Sequence, residues 1–313
     1  MKIIFLGTPD FAVKPLQALL DGNFDVIAVV CQPDKPSLRG NKVVFSPVKQ
    51  LAIKNNIKVF QYEKISRDGV EELKSLQPDL MVTAAYGQIL SQEVIDIPKF
   101  GIINVHGSLL PKYRGSSPIQ WALINGEKET GVTIAQTEKG LDTGDILLQE
   151  TIKIEETDNS ETLFEKLSEL GSKLLIKAVL KIQNGTITRT KQNENESTYY
   201  PMIKKEDSLI NFNEKTKVII NKIKGYYAWP TAYFMLNDLK IKVFEAKEVY
   251  CNEENITNFK NGQIVKADSK NGLIIKTDDG FIEIKVIQVP NGKKISARDY
   301  LNGHSLEVGD FVG

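Results

Sequence analysis

The first half of the chain alternates short apolar runs with segments whose apolar residues recur at every third or fourth position. The runs predict buried strands, and the segments predict amphipathic helices. Strands that alternate with helices favour parallel pairing, with helices on both faces of the sheet. We therefore expect a doubly wound, mostly parallel α/β sheet with strands at 3–6, 24–30, 59–60, 80–84, 101–105, 132–135 and 146–154. The helices are predicted at 11–20, from Ser46 and Pro47 onward, and at 67–75, 118–124 and 157–183.

The composition changes after residue 185, where the apolar pattern stops. Residues 186–200 are rich in Thr, Asn, Gln, Glu and Ser, which predicts an extended linker. A helix predicted at 216–226 then precedes short β-rich runs separated by turn residues, a spacing typical of a small antiparallel barrel. We expect a first domain at 1–185, a linker at 186–205 and an OB-like β-barrel domain at 206–313, with strands at 232–236, 240–249, 262–267, 273–277 and 281–289.

Composition and charge exclude several classes of protein. The 313 residues suit two domains of ordinary size, and 40 Lys and Arg balance 40 Asp and Glu, so a polyanionic partner would need a local basic patch. Two cysteines, Cys31 and Cys251, and two histidines, His106 and His304, disfavour a disulfide framework and a cysteine or histidine metal centre. We expect both cysteines to be packing residues and His304 to lie at the surface. The amino-terminal apolar run is too short for a signal peptide or a membrane span, so we expect a cytoplasmic protein.

Asn104, His106 and Asp142 have complementary hydrogen-bonding capacities. Asn104 ends a strand that is predicted to be buried, and the period of two places His106 on the same side of the chain. An amide donor and an imidazole could then address one carbonyl oxygen while a carboxylate fixes the imidazole tautomer, which suits acyl transfer to an amine. Spacing alone leaves a second interpretation open, in which these are turn residues that satisfy the backbone.

A non-enzymatic alternative is that the first strand, turn and helix bind a nucleotide. The sequence GTPDFA at 7–12 lacks the glycine spacing that allows close approach of a pyrophosphate, and no phosphate-binding loop motif occurs. A pure nucleotide-binding module is therefore disfavoured. Substitution of Asn104 or His106 separates the two classes, because an enzyme loses turnover while it keeps its ligand.

Five motifs spread along the chain carry a family resemblance: FLGTPDFA at 5–12, NVHGSLLPKYRG at 104–115, PIQW at 118–121, GVTI at 131–134 and LDTGD at 141–145. With them the chain resembles the 10-formyltetrahydrofolate-dependent formyltransferases over essentially its whole length. The resemblance implies a formyltransferase-like Rossmann domain followed by a small barrel, and 10-formyltetrahydrofolate as the formyl donor. It implies neither a metal nor a covalent enzyme intermediate.

The resemblance also assigns roles to residues. Asn104 and His106 would polarise the formyl group and stabilise the oxyanion, while Asp142 would position His106 or a water to carry the proton of the amine. Because Pro111 makes the segment around it a loop, folate binding is favoured over plain core packing for the leucine pair that precedes Pro111. The residues expected at the folate are Ser108, Leu109, Leu110, Pro111, Tyr86, Gln88, Ile89, Leu90, Gly140 and Leu141.

The family shares its donor but not its acceptor. The acceptors to consider are initiator methionyl-tRNA, glycinamide ribonucleotide, a nucleotide sugar, and water in a formyltetrahydrofolate hydrolase. The ribonucleotide is disfavoured because those enzymes usually need only the catalytic domain. The other three acceptors tolerate an additional domain and stay open on this ground.

The polar loop at 32–45 favours initiator methionyl-tRNA. It is longer than the usual connection between α/β elements and carries Arg39 and Lys42. In family members that act on methionyl-tRNA the corresponding insertion reaches the acceptor end, and an arginine can hold phosphate or stack on an end base. Ser37-Leu38 departs from the small residues that are usual there, and a solvated surface loop is the alternative. We expect Arg39, Lys42, Lys204 and Lys205 to contact tRNA, and a monomer without an obligate protein partner.

Overall fold

The structure is a computed structural model that describes residues 1–36, 43–250 and 258–313. The chain divides into two compact units. The first unit comprises Met1–Pro118, Glu129–Lys153 and Phe164–Tyr200. The second comprises Ile119–Lys128, Ile154–Leu163 and Pro201–Gly313.

The elements up to residue 200 follow the predicted alternation of strands and helices. The strands are β1 Lys2–Gly7, β2 Asp25–Cys31, β3 Lys35–Pro36, β4 Val43–Val44, β5 Lys58–Gln61, β6 Leu80–Ala84, β7 Ile102–His106, β8 Arg114–Gly115, β9 Glu129–Gln136, β10 Ile146–Lys153 and β11 Tyr199–Tyr200. The α-helices are α1 Val13–Asp21, α2 Pro47–Lys54, α3 Ile65–Asp68, α4 Val70–Ser75, α5 Gln92–Ile95, α6 Pro118–Ile124 and α7 Ser160–Gln183. Short 3-10 turns occupy Asp10–Ala12 and Glu194–Glu196.

The main sheet of the first unit has seven strands in the order β10-β9-β7-β6-β1-β2-β5. Pairing is parallel from β5 through β2, β1 and β6 to β7, which confirms the mostly parallel α/β fold. The exceptions lie at one edge of the sheet, where β9 runs antiparallel to β7 and β10 runs antiparallel to β9. No helix separates β9 from β10, and a parallel pair would need such a crossover.

Local sequence signals explain where the helices of this unit begin and break. Ser46 caps α2 by accepting a hydrogen bond from the amide of Lys49, and Pro47 holds the first helical position, as predicted. The helix predicted at 67–75 is divided at Gly69 into α3 and α4. The apolar stripe predicted for α7 is buried at Leu163, Leu167, Leu170, Leu174 and Ala178.

The second unit contains an antiparallel sheet that curls into half a barrel, as the OB-like expectation requires. Its strands are β12 Tyr233–Leu236, β13 Leu239–Val249, β14 Ile264–Asp268, β15 Gly272–Lys276, β16 Phe281–Gln288 and β17 Ile295–Ser296, and its helices include α8 Thr216–Gly225 and α9 Ala297–Gly303. The long β13 shifts register on both sides of Glu245, which allows it to bend between β12 and β16. The sequence predicts neither β17 nor α9, although Ser296 caps α9 through the amide of Asp299.

The register of the parallel sheet positions the candidate site. Thr83 of β6 lies opposite Asn104 of β7, so two polar side chains meet at the end of strands that are otherwise apolar. Apart from His106 at the end of β7, the rest of β6 and β7 consists of buried aliphatic residues, which fixes the sheet beneath the two side chains. This edge is where ligands of parallel α/β sheets usually bind.

Candidate active site

The structure brings Asn104, His106 and Asp142 together around a single carboxylate oxygen. The amide Nδ2 of Asn104 lies 3.4 Å from Oδ1 of Asp142, and Nδ1 of His106 lies 3.7 Å from the same oxygen. The side chains of His106 and Asp142 are only 7% and 14% exposed. An amide, an imidazole and a carboxylate therefore share a small, largely buried volume.

A backbone carbonyl orients the imidazole of His106. Its Nε2 lies 3.0 Å from the carbonyl oxygen of Tyr113. Because a carbonyl oxygen only accepts, Nε2 must carry a proton. In the neutral ring Nδ1 then has the lone pair, and it faces Asp142 at a separation beyond hydrogen-bonding range. The Tyr113 carbonyl, rather than the carboxylate expected from the sequence, therefore fixes the tautomer of His106.

A hydroxyl on the neighbouring strand orients the amide of Asn104. Oγ1 of Thr83 donates to Oδ1 of Asn104 at 3.0 Å, and Thr83 is itself buried. Because the amide oxygen is engaged, the Nδ2 group must point the other way, toward Asp142. Thr83 is not among the site residues predicted from the sequence, although a polar residue near the end of an apolar strand is a usable signal.

Asp142 is held in an uncommon backbone conformation. Its φ is +54°, in the left-handed region that residues other than glycine rarely adopt. The amide of Gly115 donates to Oδ2 at 2.8 Å, which leaves Oδ1 for Asn104 and His106. Gln192 donates to the carbonyl oxygens of Asp142 and Gly144 at 2.8 and 2.7 Å. Neither Gly115 nor Gln192 is a site residue that sequence reasoning identified.

The predicted folate signature at Ser108–Pro111 forms a loop that is largely bonded to itself. The hydroxyl of Ser108 donates to the carbonyl of Lys112 at 2.7 Å, and the hydroxyl of Thr133 donates to the carbonyl of Ser108 at 2.7 Å. Leu110 is buried and its amide donates to Thr133, while Leu109 is half-buried. These contacts fix the shape of the loop, and the polar side chain of Ser108 already has a partner.

Gln88 and Leu90 also serve the fold. The side chain of Gln88 donates to the carbonyl of Tyr62 at 2.9 Å and accepts from the amide of Ile65 at 2.8 Å. Leu90 packs in a buried cluster of the first unit. Both residues shape the segment that follows β6, and neither has a free polar group directed outward.

Other predicted folate residues remain available to a ligand. Ile89 and Leu141 are 85% and 58% exposed, which is unusual for large aliphatic side chains, and Gly140 is exposed beside Leu141. The hydroxyl of Tyr86 is buried and has no hydrogen-bond partner among the described residues. Burial raises the pKa of this hydroxyl, so it stays protonated and can donate. The exposed apolar groups at Ile89 and Leu141 fit a flat heteroaromatic ligand, whereas the hydroxyl of Tyr86 lies beneath the surface.

The predicted tRNA contacts are only partly described. Arg39 and Lys42 lie outside the described residues, as does Cys251. Lys204 and Lys205 are exposed at the start of a short 3-10 turn in the second unit. Of the remaining predictions, Cys31 is buried in β2.

Within the described ranges 1–36, 43–250 and 258–313, no group of three or more His, Cys, Asp or Glu side chains could hold a metal ion. No helix in those ranges is both long enough and apolar enough to cross a membrane.

Both parts of the chain match known protein families. A family model described as formyl transferase matches residues 1–179, and one described as formyl transferase, C-terminal domain, matches residues 202–305. The methionyl-tRNA formyltransferase of Sulfurihydrogenibium sp. is 45% identical over 312 residues, which cover 99% of each chain. The methionyl-tRNA formyltransferase of Ruminiclostridium cellulolyticum is 42% identical over 314 residues and covers 100% of each chain.

The fold is also similar to a solved structure. That structure is WlaRD, a sugar 3N-formyl transferase, in the presence of dTDP and 5-N-formyl-THF. The TM-score is 0.67 at 26% sequence identity, over 94% of this chain and 99% of that chain. The two chains therefore share a fold along nearly their whole length.

Proposed function

This chain belongs to the formyl transferase family, and we propose that it transfers the formyl group of 10-formyltetrahydrofolate to the α-amino group of initiator methionyl-tRNA. The observation that carries the proposal is the 42–45% identity to methionyl-tRNA formyltransferases over essentially the full chain. The aligned residues extend through the second unit as well as the first. The protein is an enzyme of translation initiation that uses a one-carbon donor, and we place it in the cytoplasm.

Asn104 stabilises the charge that develops on the formyl oxygen. Its Nδ2 group is held in place by Thr83 before any substrate binds, so no reorganisation is needed as the charge forms. A preorganised donor in a site with little water is worth much more than the same donor in solution. In this role Asn104 acts on the formyl donor, 10-formyltetrahydrofolate, which itself supplies only the formyl group.

His106 removes the proton that the attacking amine must lose. Nε2 is committed to Tyr113, so Nδ1, which lies on the side of Asp142, is the basic atom. When Nδ1 takes up a proton, Oδ1 of Asp142 at 3.7 Å stabilises the resulting imidazolium. The new bond joins the amine nitrogen to the formyl carbon. The departing donor nitrogen then takes the proton from His106, so the enzyme ends as it began.

We expect the formyl donor, 10-formyltetrahydrofolate, to pack against the exposed apolar side chains of Ile89 and Leu141. A folate presents a flat, partly apolar ring system, which matches these exposed side chains. The folate-type ligand named with the similar sugar formyltransferase supports a donor of this class. We propose the loop with Arg39 and Lys42, together with Lys204 and Lys205, as contacts for the tRNA.

Formylation of a nucleotide sugar is the second candidate. It is favoured by the similar fold of a sugar 3N-formyl transferase, but that chain is only 26% identical to this one. The acceptor therefore decides between the two candidates, because both use the same catalytic residues and the same class of donor.

The test is transfer of labelled formyl from 10-formyltetrahydrofolate. The acceptors are charged initiator tRNA, charged elongator tRNA, a dTDP-linked amino sugar, and none. We expect label on the initiator tRNA alone, and the variant Asn104→Ala should reduce its rate about 10²–10³-fold. Label on the sugar, or donor turnover without an acceptor, would contradict the proposal. Asn184→Ala, at an exposed position at the end of α7, is the matched control and should behave as the parent enzyme.

A further inference from the structure

Residues 190–200, which we call the strap, are hydrogen-bonded to the first unit at both ends. At the beginning, Thr190 and Ile146 exchange two backbone hydrogen bonds of 2.8 and 2.9 Å. At the end, β11 pairs in parallel with β8, and the amide of Arg114 donates to the carbonyl of Thr198 at 2.8 Å. The strap is thus fixed against the segments that lead into and out of the candidate site, although its composition is that of a linker.

Gln192 joins the strap to the loop that carries Asp142. Its single amide nitrogen donates to two carbonyl oxygens, those of Asp142 and Gly144. These carbonyls flank Thr143, so one side chain defines the path of the backbone just after Asp142. Gly144 is needed at this point, because a Cβ there would lie 1.8 Å from the carbonyl oxygen of Gln136.

Arg114 holds Gln192 in turn. The guanidinium has no exposed surface, and all five of its N–H bonds are directed to the strap. Nε and Nη2 donate to Oε1 of Gln192 at 3.0 and 2.8 Å. Nη1 and Nη2 donate to the carboxylate of Glu194, and Nη1 also donates to the hydroxyl of Tyr199 at 2.6 Å. A buried cation is unfavourable unless every donor is satisfied, so Arg114 forces these partners to stay in place.

The same short strand also holds the carboxylate of Asp142. Gly115, next to Arg114 in β8, donates its amide to Oδ2 of Asp142. Gly115 has a φ of +98°, and a Cβ at this position would lie 2.5 Å from the carbonyl of Tyr200, so the strap passes close to its backbone. Asp142 is therefore held at its side chain through β8 and at its carbonyl through the strap.

We propose that the strap is the device that keeps Asp142 in its left-handed conformation, with Gln192 and Arg114 as positioning residues for formyl transfer. The inference rests on the proposed function for the role of Asp142 in the reaction. Arg114 and Gln192 do not touch the reacting atoms. They act through the position of Oδ1 of Asp142 relative to His106.

The discriminating variant is Gln192→Glu. It keeps an oxygen for the guanidinium of Arg114, so the buried cation stays paired, but it removes both hydrogens that bind the carbonyls of Asp142 and Gly144. We expect kcat to fall about 10–100-fold with both KM values unchanged, since a displaced catalytic group costs about this much. Glu196→Gln is the control, because Glu196 lies in the same 3-10 turn as Glu194 but its carboxylate accepts from the side chain of Asn193.

A double-mutant cycle shows whether Gln192 acts through Asp142. If it does, Gln192→Glu has no further effect on kcat when Asp142 is already Asn. An equal loss in both backgrounds would overturn the proposal, because it would mean that Gln192 acts by another route. Wild-type kcat in Gln192→Glu would overturn it as well.

Hydrogen exchange of the free protein tests the strap without any substrate. In Gln192→Glu the amide of Gly115, which donates to Oδ2 of Asp142, and the amide of Gln136, which donates to the carbonyl of Asp145, should exchange at least about tenfold faster, since two hydrogen bonds to the loop are lost. They should exchange at the parental rate in Glu196→Gln. Unchanged exchange in Gln192→Glu would overturn the proposed role of the strap. Absence of formyl transfer to methionyl-tRNA in the parent enzyme would overturn only the proposed function.

Discussion

The Nε2 of His106 and the main-chain carbonyl of Tyr113 form a 3.0 Å hydrogen bond that decides which nitrogen of the imidazole is available for chemistry. A main-chain partner cannot change its protonation state. The bond therefore keeps Nδ1 directed at Asp142. The carboxylate is consequently free to respond to charge on the ring instead of orienting it.

Loss of the hydroxyl of Thr83 should slow the reaction without loosening the fold. Thr83→Val preserves shape but removes the donor to Oδ1 of Asn104, so the amide can turn away from the site. We expect kcat to fall about tenfold, the equivalent of one hydrogen bond. The measurement is steady-state formyl transfer alongside the melting temperature.

Thr137→Val is the matched control for this variant. The hydroxyl of Thr137 is buried and has no hydrogen-bond partner among the described residues, so its removal should leave kcat unchanged. If Thr137→Val slowed the reaction as much as Thr83→Val, the effect would reflect general packing and not the orientation of Asn104.

Gly144→Ala should impair catalysis more than stability. The added methyl group would meet the carbonyl of Gln136 at 1.8 Å, so the loop must move and take Asp142 with it. We expect kcat to fall about 10²-fold, measured at saturating substrates. Gly303→Ala, where no atom lies within 4 Å of an added methyl group, should keep the parental rate. A Gly144→Ala enzyme with full activity would show that the loop position is unimportant.

Arg39→Ala should affect the tRNA more than the donor. The residue belongs to the long loop whose basic side chains are predicted to reach the acceptor end, so we expect the KM for tRNA to rise about tenfold. The KM for 10-formyltetrahydrofolate should not change. Arg67→Ala removes an exposed arginine that is paired with Asp68 and serves as the control. Equal changes in both KM values would contradict the role of the loop.

The thiol of Cys31 makes the free energy of unfolding fall as the pH rises into the alkaline range. Burial raises the pKa of its thiol from 9.0 to about 11. Below pH 9 both the folded and unfolded chains keep this proton, so its contribution is fully present. Above that the unfolded chain releases the proton first, and the contribution is lost as the pH rises toward about 11.

The measurement is the free energy of unfolding of the parent and of Cys31→Ala at about pH 8 and about pH 10.5. The parent should lose about 2 kcal/mol more than the variant over this interval. Because the two proteins differ only at Cys31, the titration of lysines and tyrosines cancels in the comparison. Parallel losses would show that the thiol has an ordinary pKa.

The sequence predicts the elements that depend on local pattern. Strand β6 and helix α6 have the predicted bounds, and the cap at Ser46 is where the residue types place it. The directions of β9 and β10 could not be predicted in the same way. They depend on whether a connecting segment packs on the sheet, and that is a property of the tertiary structure.

In the candidate site, too, local rules predict some features, while others depend on the tertiary structure. The spacing of Asn104 and His106 on one strand was readable, because a period of two is a local rule. The role of Gln192 could not be predicted, since this residue lies in a polar stretch and acts on residues about 50 positions away. The contribution of Tyr113 was equally hidden, because it comes from a carbonyl group that every residue type possesses.

The bonds of Gln192 also bear on protein engineering. A shortened protein that ended at residue 185, where the composition changes, would retain Asn104, His106, Asp142 and all seven strands of the main sheet. It would lack every side chain that binds the guanidinium of Arg114, so this positive charge would lose its hydrogen-bond partners. A minimal catalytic fragment must therefore extend through Tyr200.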